Sequence, residues 1–468
     1  MTRGPTLALA EGLAAIRHPE LPQAVRDQLQ ICLLDYLRVA SAGERMPWSR
    51  DAAGLVARLG GRGAAYVLFS SARTDPVRAG FVNATYAGGL DADDTHVGAM
   101  AHPGSVVWSA ALALGQDRAA SGERVLAAVA AGYEAMIRIA LAVQPSHFHR
   151  GFQSTATCGG FGAAVAAAHL LFGGAGRARR LAETIGLAAS FSGGLTQFYH
   201  SGSTVKRIHA AHAAARGIEA ALLAESGFSG PVDILEGKDG FARAYADAAD
   251  FGAMLDALGS RYRLLEVSFK AHACSARVQA AIEAAIELCR AHGVRLEDVA
   301  AVRVGIPRLI AGRLTASEPR DVQAAQMSVP FAVALAIRHA REAAPGFAFG
   351  VDDFERGLAD PGVTQLARRV ACVPDEEVER ASTAESVGAR VTLRLASGAE
   401  HSAFVPAPKG AASRPFTMQD HAARLRHELA RRLPLAACEA IAALVRDFAA
   451  LPDVGELGRR LAARDAVS

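Results

Sequence analysis

The segment Gly151–Gly174, GFQSTATCGGFGAAVAAAHLLFGG, is apolar or small on almost every side of the helix its pattern implies. A helix without a polar stripe has no face for water, so other helices must enclose it. The chain around it supplies them. LPQAVRDQLQICLLDYLRVASAG repeats its apolar residues every three or four positions and stops at Gly43. TDPVRAGFVNATYAGG opens with Thr74 or Asp75 as a cap and Pro76 in its first turn. SGERVLAAVAAGYEAMIRIALAV, RARRLAETIGLAASFSGG and STVKRIHAAHAAARGIEAALLAESG follow, the last closed by Gly227. Aromatic residues make up only 6% of the chain, so these helices must meet through small side chains. GAAYVLFSS predicts a short strand or extended connector, and residues 228–256 a turn, a short strand or connector and short helices.

Beyond Leu255 the texture changes. RYRLLEVSFK and VAAVRVGIPR predict strands, SARVQAAIEAAIELCRAHG a helix stopped at Gly293, and MSVPFAVALAIRHAREA another helix. ARVTLRLASGAEHSAFVPAP predicts a hairpin turning at Ser397-Gly398. After Pro408 the pattern is helical again. A chain of 468 residues is too long for one ordinary core. The expected fold is mainly α with an α+β second domain: a helical domain over 1–264 and 409–468, and an α+β lid over 265–408.

The net charge of +3 is spread without a basic block, which argues against nucleic acid as a partner. Six cysteines without a CxxC pair predict reduced thiols and a cytoplasmic setting. No apolar run reaches the length of a membrane span, and the N-terminus does not read as a signal peptide.

Against this background one stretch stands out, Leu90–Ser105, LDADDTHVGAMAHPGS. It sets Asp91, Asp93, Asp94, Thr95, His96 and His102 between two apolar helices, where charged groups persist only if paired, bound or used. Asp and His suit divalent ions, but the spacing matches no metal pattern, so no metal is expected. As a metal-free site the stretch offers His102 as acid/base, with Asp91 as its orienter. Asp93, Asp94 and His96 read as caps, Arg partners or scaffolding. PSHFHRGFQSTATCGG adds Gln153, Ser154 and Thr155 before a buried helix, a place suited to an anion. Only four lysines stand among the 50 basic residues. Two of them, Lys206 in TVKRIHAAH and Lys270 in SFKAHACS, have histidines close by, His209 and His272. Lysine is compact and can lose its proton when desolvated, which arginine cannot do. Cys274 lacks a base partner and is a poor nucleophile candidate.

NATYAGGLDADDTHVGAMAHPGSVVWSAALALG, GFQSTATCGGFGAAVAAAHLL, VKRIHAAHAAARGIEAALLAESGFSGPVDILEGKDGF, SFKAHACS and AQMSVPFAVALAI together resemble the MmgE/PrpD family. It includes 2-methylcitrate dehydratases, cis-aconitate decarboxylases and iminodisuccinate epimerases. The resemblance implies a helical domain with a smaller α+β lid, a homodimer, and an interdomain site needing no metal or organic cofactor. Its site residues fall on Asp91, Thr95, His102, Lys206 and Lys270. Three positions depart from the family pattern: Gln153 and Gln279 replace histidines, and Phe331 replaces a tyrosine.

The expected activity is a lyase, dehydratase or decarboxylase, acting on a small di- or tricarboxylate through a carbanion beside a carboxylate. His102, Asp91, Lys206 and Lys270 are its expected catalytic groups. Thr95, Gln153, Ser154, His209 and His272 are the expected substrate contacts. An epimerase of an imino- or amino-dicarboxylate such as iminodisuccinate is the alternative. A catalytically reduced carboxylate-binding protein is a third reading.

Overall fold

The protein, seen in a computed structural model, is described over residues 4–201, 203–341, 348–383 and 385–462. Residues 342 and 343 of the expected MSVPFAVALAIRHAREA helix lie outside that range, as do the first three residues and residue 463. The helical domain contains α1 (Pro5–Ala15), α2 (Gln23–Gly43), α3 (Pro76–Gly88), α4 (Pro103–Asp117), α5 (Gly122–Val143), α6 (Gly159–Leu171), α7 (Arg177–Ala189) and α8 (His209–Glu225). Helix α6 is the one with no polar face, and it is enclosed by α4, α5, α7 and α8. Glycine makes the closest of these crossings possible. A Cβ on Gly132 of α5 would lie 2.8 Å from the carbonyl oxygen of Gly162, and one on Gly162 would lie 2.9 Å from that of Gly132. The two backbones are in contact there, and any side chain would force them apart.

Helix α5 corrects one expectation. It is long and apolar enough to span a membrane by length and composition, but 94% of its apolar window is buried inside the protein. Its two interior charges, Glu134 and Arg138, pair with each other at 2.8 Å. Arg138 also donates to the carbonyls of Met254, Asp256 and Arg261. Each of the three guanidinium nitrogens of this buried cation therefore has an acceptor.

The α+β domain is built on a four-stranded sheet of β1 (Val299–Ile306), β2 (Val370–Pro374), β3 (Ala389–Leu395) and β4 (Glu400–Val405). The strand order is β2-β1-β3-β4, with β2 parallel to β1 and the other pairs antiparallel. Helices α9 (Gln279–His292) and α10 (Val329–His339) pack against it. Residues between Cys274 and Val405 form this domain's own core. Gly293, left-handed, ends α9, and Gly398 has the positive φ that the hairpin turn needs. The chain then returns, and α11 (Met418–Leu429) packs on α2.

One strand expectation fails, and for residues 228–256 the connector alternative holds. Arg261–Lys270 forms a short 3-10 turn at Arg263–Glu266 and then a single bridge between Ser268 and Thr95. Its alternating pattern finds no neighbouring strand, because the segment crosses over the Asp91 loop. Between 228 and 256 there are short helices, Phe241–Tyr245 and Phe251–Leu255, and no strand. Strand β2 was not anticipated.

Gln326 ties the two domains together. Its amide nitrogen donates to the carbonyls of Leu90 (2.8 Å) and Ala273 (2.5 Å), and its oxygen accepts from Arg207 (2.6 Å). Arg207 in turn donates to the Gly89 carbonyl and lies over the Trp48 ring. Replacing Gln326 with Leu leaves these buried groups unpaired. The variant should lose about 1–3 kcal/mol of unfolding free energy in urea denaturation. An unchanged midpoint and slope would rule out this role for Gln326.

Candidate active site

The Asp91 loop leaves α3, crosses to the α+β side through the Thr95–Ser268 bridge and re-enters α4 at Pro103. Asp91 has φ 57°, a left-handed conformation uncommon outside glycine. Backbone strain of this kind persists only where the surroundings enforce it. Here Lys270 does so, donating both to the Asp91 carbonyl (2.9 Å) and to Asp91 Oδ1 (2.8 Å). Lys206 reaches the same Oδ1, also at 2.8 Å. One carboxylate oxygen thus anchors two ammonium groups, one from the 3-10 turn Val205–Ile208 just before α8 and one from the domain junction. Asp91 Oδ2 is buried with no hydrogen-bond partner. Burial alone would raise the Asp91 pKa, but the two lysines outweigh it and hold the carboxyl well below its usual range.

The lysines themselves diverge. Burial pushes both down; Lys270, facing Asp91 and also Asp93 at 3.7 Å, is held above its ordinary value. Lys206 has only Asp91 to oppose burial and the repulsion of Lys270, and lies below its ordinary value. Lys206 is therefore the readier of the two to release a proton.

His102 is held differently from the expectation. Its Nδ1 meets the Asp94 carbonyl (2.9 Å) and Thr95 Oγ1 (2.9 Å), with Asp93 Oδ1 at 3.6 Å. Asp91, bound to the lysines, is not its hydrogen-bond partner. A carbonyl only accepts, so Nδ1 carries the hydrogen in the neutral ring and Nε2 carries the lone pair. Burial and then Lys270 push the His102 pKa down to about 4, against the opposing pull of Asp93 and Asp91. Its backbone N–H is fixed by Thr155 Oγ1 (3.0 Å).

Asp91, Lys206 and His102 line one cleft with Thr95, Gln153, Ser154, Phe148, Tyr199, Ser275, Arg277 and Met327, and Lys270 lies behind Asp91. Its free space is about 30 Å³, room for only a few waters. Gln153 accepts the Ala156 N–H through Oε1 and so caps the short helix Ser154–Thr157. Ser154 Oγ accepts from Gln144. His209 and His272, expected as substrate contacts, do not line the cleft. His209 packs edge-on against Phe198. His272 accepts the Phe349 N–H at Nδ1, and its backbone is clasped by Gln279 at 3.0 Å on each side. Gln279 is thereby a loop fastener. Phe331 is fully buried in the α+β core. Cys274 is buried with its thiol pKa raised by burial.

Three contributions were missed. Arg277 enters the cleft wall, with its guanidinium 5.8 Å from the Phe148 ring. Nothing in the spacing of an isolated arginine marks it. Asp93, read as scaffolding, sits beside both His102 and Lys270. Asp35, Arg38 and Arg424 act from behind: Asp35 pairs with Arg38 at 2.8 Å, Arg38 donates to the Ala92 carbonyl, and Arg424 to the Lys270 carbonyl. They hold the backbone on both sides of the Asp91–Lys270 pair. Asp94 and His96 are scaffolding. Asp94 accepts from Gly104 N–H and Tyr133 OH, and His96 bonds Glu266.

Asp91, Asp93 and His102 each place one potential ligand atom within 4.8 Å of the others. Asp91 Oδ1 is already shared by two cations, and Asp93 is near one of them. A divalent ion would have to displace an ammonium, so the donor set fits lysine better than metal.

Sequence comparison fits this geometry. Residues 7–254 match the MmgE/PrpD N-terminal domain and residues 272–449 the MmgE/PrpD C-terminal domain. The chain belongs to the MmgE/PrpD family. Within it, a cis-aconitate decarboxylase of Aspergillus terreus is 25% identical over 428 residues, covering 87% of this chain and 86% of that protein. A cis-aconitate decarboxylase-like protein of Aspergillus oryzae is 24% identical over 430 residues, covering 86% of each.

Burial pushes the Asp94 pKa up to about 8 from an ordinary 3.8. In the unfolded chain it ionises near its ordinary value, so its contribution to stability is full below about pH 4 and is lost as pH rises through about 8. Relative to Asp94→Asn, the wild-type protein should lose unfolding free energy steadily from pH 4 to 8. A difference between the two proteins that stays constant across that range would contradict a neutral Asp94.

Proposed function

We propose that the protein is a lyase, a dehydratase or decarboxylase, acting on a small di- or tricarboxylate without an organic cofactor or metal. The observation that carries this reading is the sharing of Asp91 Oδ1 by Lys206 and Lys270 beside a neutral His102. Negative charge that builds next to an existing carboxylate needs fixed cations in a dry site. Lys206 and Arg277 are the cations on the cleft wall, and Lys270 holds Asp91 behind them. In this reading Lys206 and Arg277 bind carboxylates of the substrate, and Thr95, Gln153 and Ser154 orient it.

In a dehydration His102 Nε2 removes the proton beside a carboxylate. The electron pair left on carbon forms the double bond as the C–O bond breaks, and the imidazolium returns the proton to the departing hydroxide, which leaves as water. In a decarboxylation the ring first gains a proton as the polyanion raises its pKa, then delivers it to the carbanion. The cleft's small free volume means that the two domains separate, or the wall side chains move, to admit such a ligand. The similarity to cis-aconitate decarboxylases supports the lyase reading. One observation favours epimerisation as the second reading: Lys206, below its ordinary pKa, supplies a second proton carrier besides His102.

The test follows methylcitrate, cis-aconitate and iminodisuccinate by NMR in D₂O with the protein. Loss of water or carbon dioxide, abolished in His102→Ala, is the expected result. Deuterium exchange without net conversion would replace the lyase with the epimerase. Ligand-induced stabilisation with no turnover would leave a binding protein. Full turnover by His102→Ala would end the assignment of His102.

A further inference from the structure

A second cationic recess lies at the far end of α6. Helix α6 begins next to the Gln153–Thr157 wall of the cleft and runs 13 residues, about 20 Å, before the recess starts. Here the C-terminal ends of α1 and α6 meet the N-terminal ends of α5 and α7. The lining includes Arg17, Arg124 and Arg177, with His18, His169 and Glu123. Its volume is about 340 Å³.

Among the described residues, the three arginines are held by backbone alone. Arg17 donates to the Ala14 and Ile16 carbonyls, Arg177 to those of Ala14 and His169, and Arg124 to that of Leu170. Capping two helix C-termini accounts for one edge of each guanidinium. It leaves their positive charge without a paired carboxylate among the described residues. Glu123 is the one acidic side chain in the lining, and it faces His18 at 3.8 Å. Three polar atoms are buried here without a hydrogen-bond partner, His18 Nδ1, Arg177 Nε and His169 Nε2. His169 is only 7% exposed. Burial, then Arg177 and Arg17, push its pKa down to about 3, so the ring is neutral and adds no charge of its own. Burial and its two arginine neighbours likewise lower Arg177 to about 10. Arg177 is half-buried and Arg17 and Arg124 are exposed; like charges gathered in one recess without a paired carboxylate are surroundings that an anion relieves.

We infer that this recess is a binding site for a small oxyanion bearing two or more negative charges, of the phosphate or polycarboxylate type, separate from the candidate active site. Arg17 and Arg124 stand at the rim and Arg177 and His169 form the floor. A guanidinium's flat fork of donors matches a phosphate or carboxylate edge. The apolar Leu171 and Phe172 beside them exclude water from one side.

The whole protein, labelled with ¹³C at the histidine rings, is titrated with inorganic phosphate and, separately, with tricarballylate at constant ionic strength. The His169 resonance, assigned from His169→Gln, reports on this recess and not on the cleft. A saturable shift with either probe is expected, and the responding probe identifies the ligand as phosphate-like or carboxylate-like. In Arg124→Gln, an exposed position whose loss leaves the core intact, half-saturation should rise about tenfold. In Lys206→Gln it should not change. No saturable shift with either probe overturns the inference. So does an equal shift with chloride, or a shift indifferent to both Arg124→Gln and Arg177→Gln.

Discussion

The site depends on one oxygen atom. Asp91 Oδ1 holds Lys206 and Lys270 together, and Lys270 also grips the Asp91 carbonyl. In water such a trio would gain little, because solvent screens each pair. Buried, it cannot be taken apart cheaply: removing Asp91 strips Lys206 of its counter-charge and leaves Lys270 with only Asp93, at 3.7 Å. The trio also joins segments far apart in sequence, the loop after α3, the turn before α8 and the crossing into the α+β domain. An arrangement that keeps two cations near each other and dry is the one a site for a polyanionic reaction intermediate requires.

Its rigidity is built behind it. Asp35 and the arginines it faces fix carbonyls at Ala92 and Lys270, and Gln326 fixes those at Leu90 and Ala273. Side chains on α2 and α11 thus set the same backbone that the α+β domain approaches from the other side. Reacting groups have to be placed to within a fraction of an ångström, and donors aimed at backbone carbonyls do that without intruding on the cleft.

The helical domain was legible because it obeys one rule: small apolar residues at helical spacing must be buried. That rule located α6 and its neighbours. The Asp91 loop was legible for the opposite reason, as charge where charge is costly. Periodicity failed at Arg261–Lys270, where alternation without a partner strand gave a turn and a single bridge. Residue type misled at His209 and His272, which sit next to lysines in sequence but point into packing and loop contacts. Arg277 and Asp35 could not be found from the sequence, since one arginine among many has no local signature and a buried carboxylate in a long helix looks like any surface acid. The partner of His102 was misassigned because three aspartates lie within four residues, and only the fold decides which of them faces the ring.

The proposed chemistry requires His102 to be a neutral ring with its hydrogen on Nδ1 and a lone pair on Nε2. ¹⁵N NMR of histidine-labelled protein, assigned with His102→Gln, measures both properties at once. The Nδ1–H form is expected to persist on acidification until about pH 4, because burial and Lys270 disfavour the imidazolium. An Nε2–H ring, or titration at the ordinary 6.5, would contradict the arrangement from which the proposed chemistry follows.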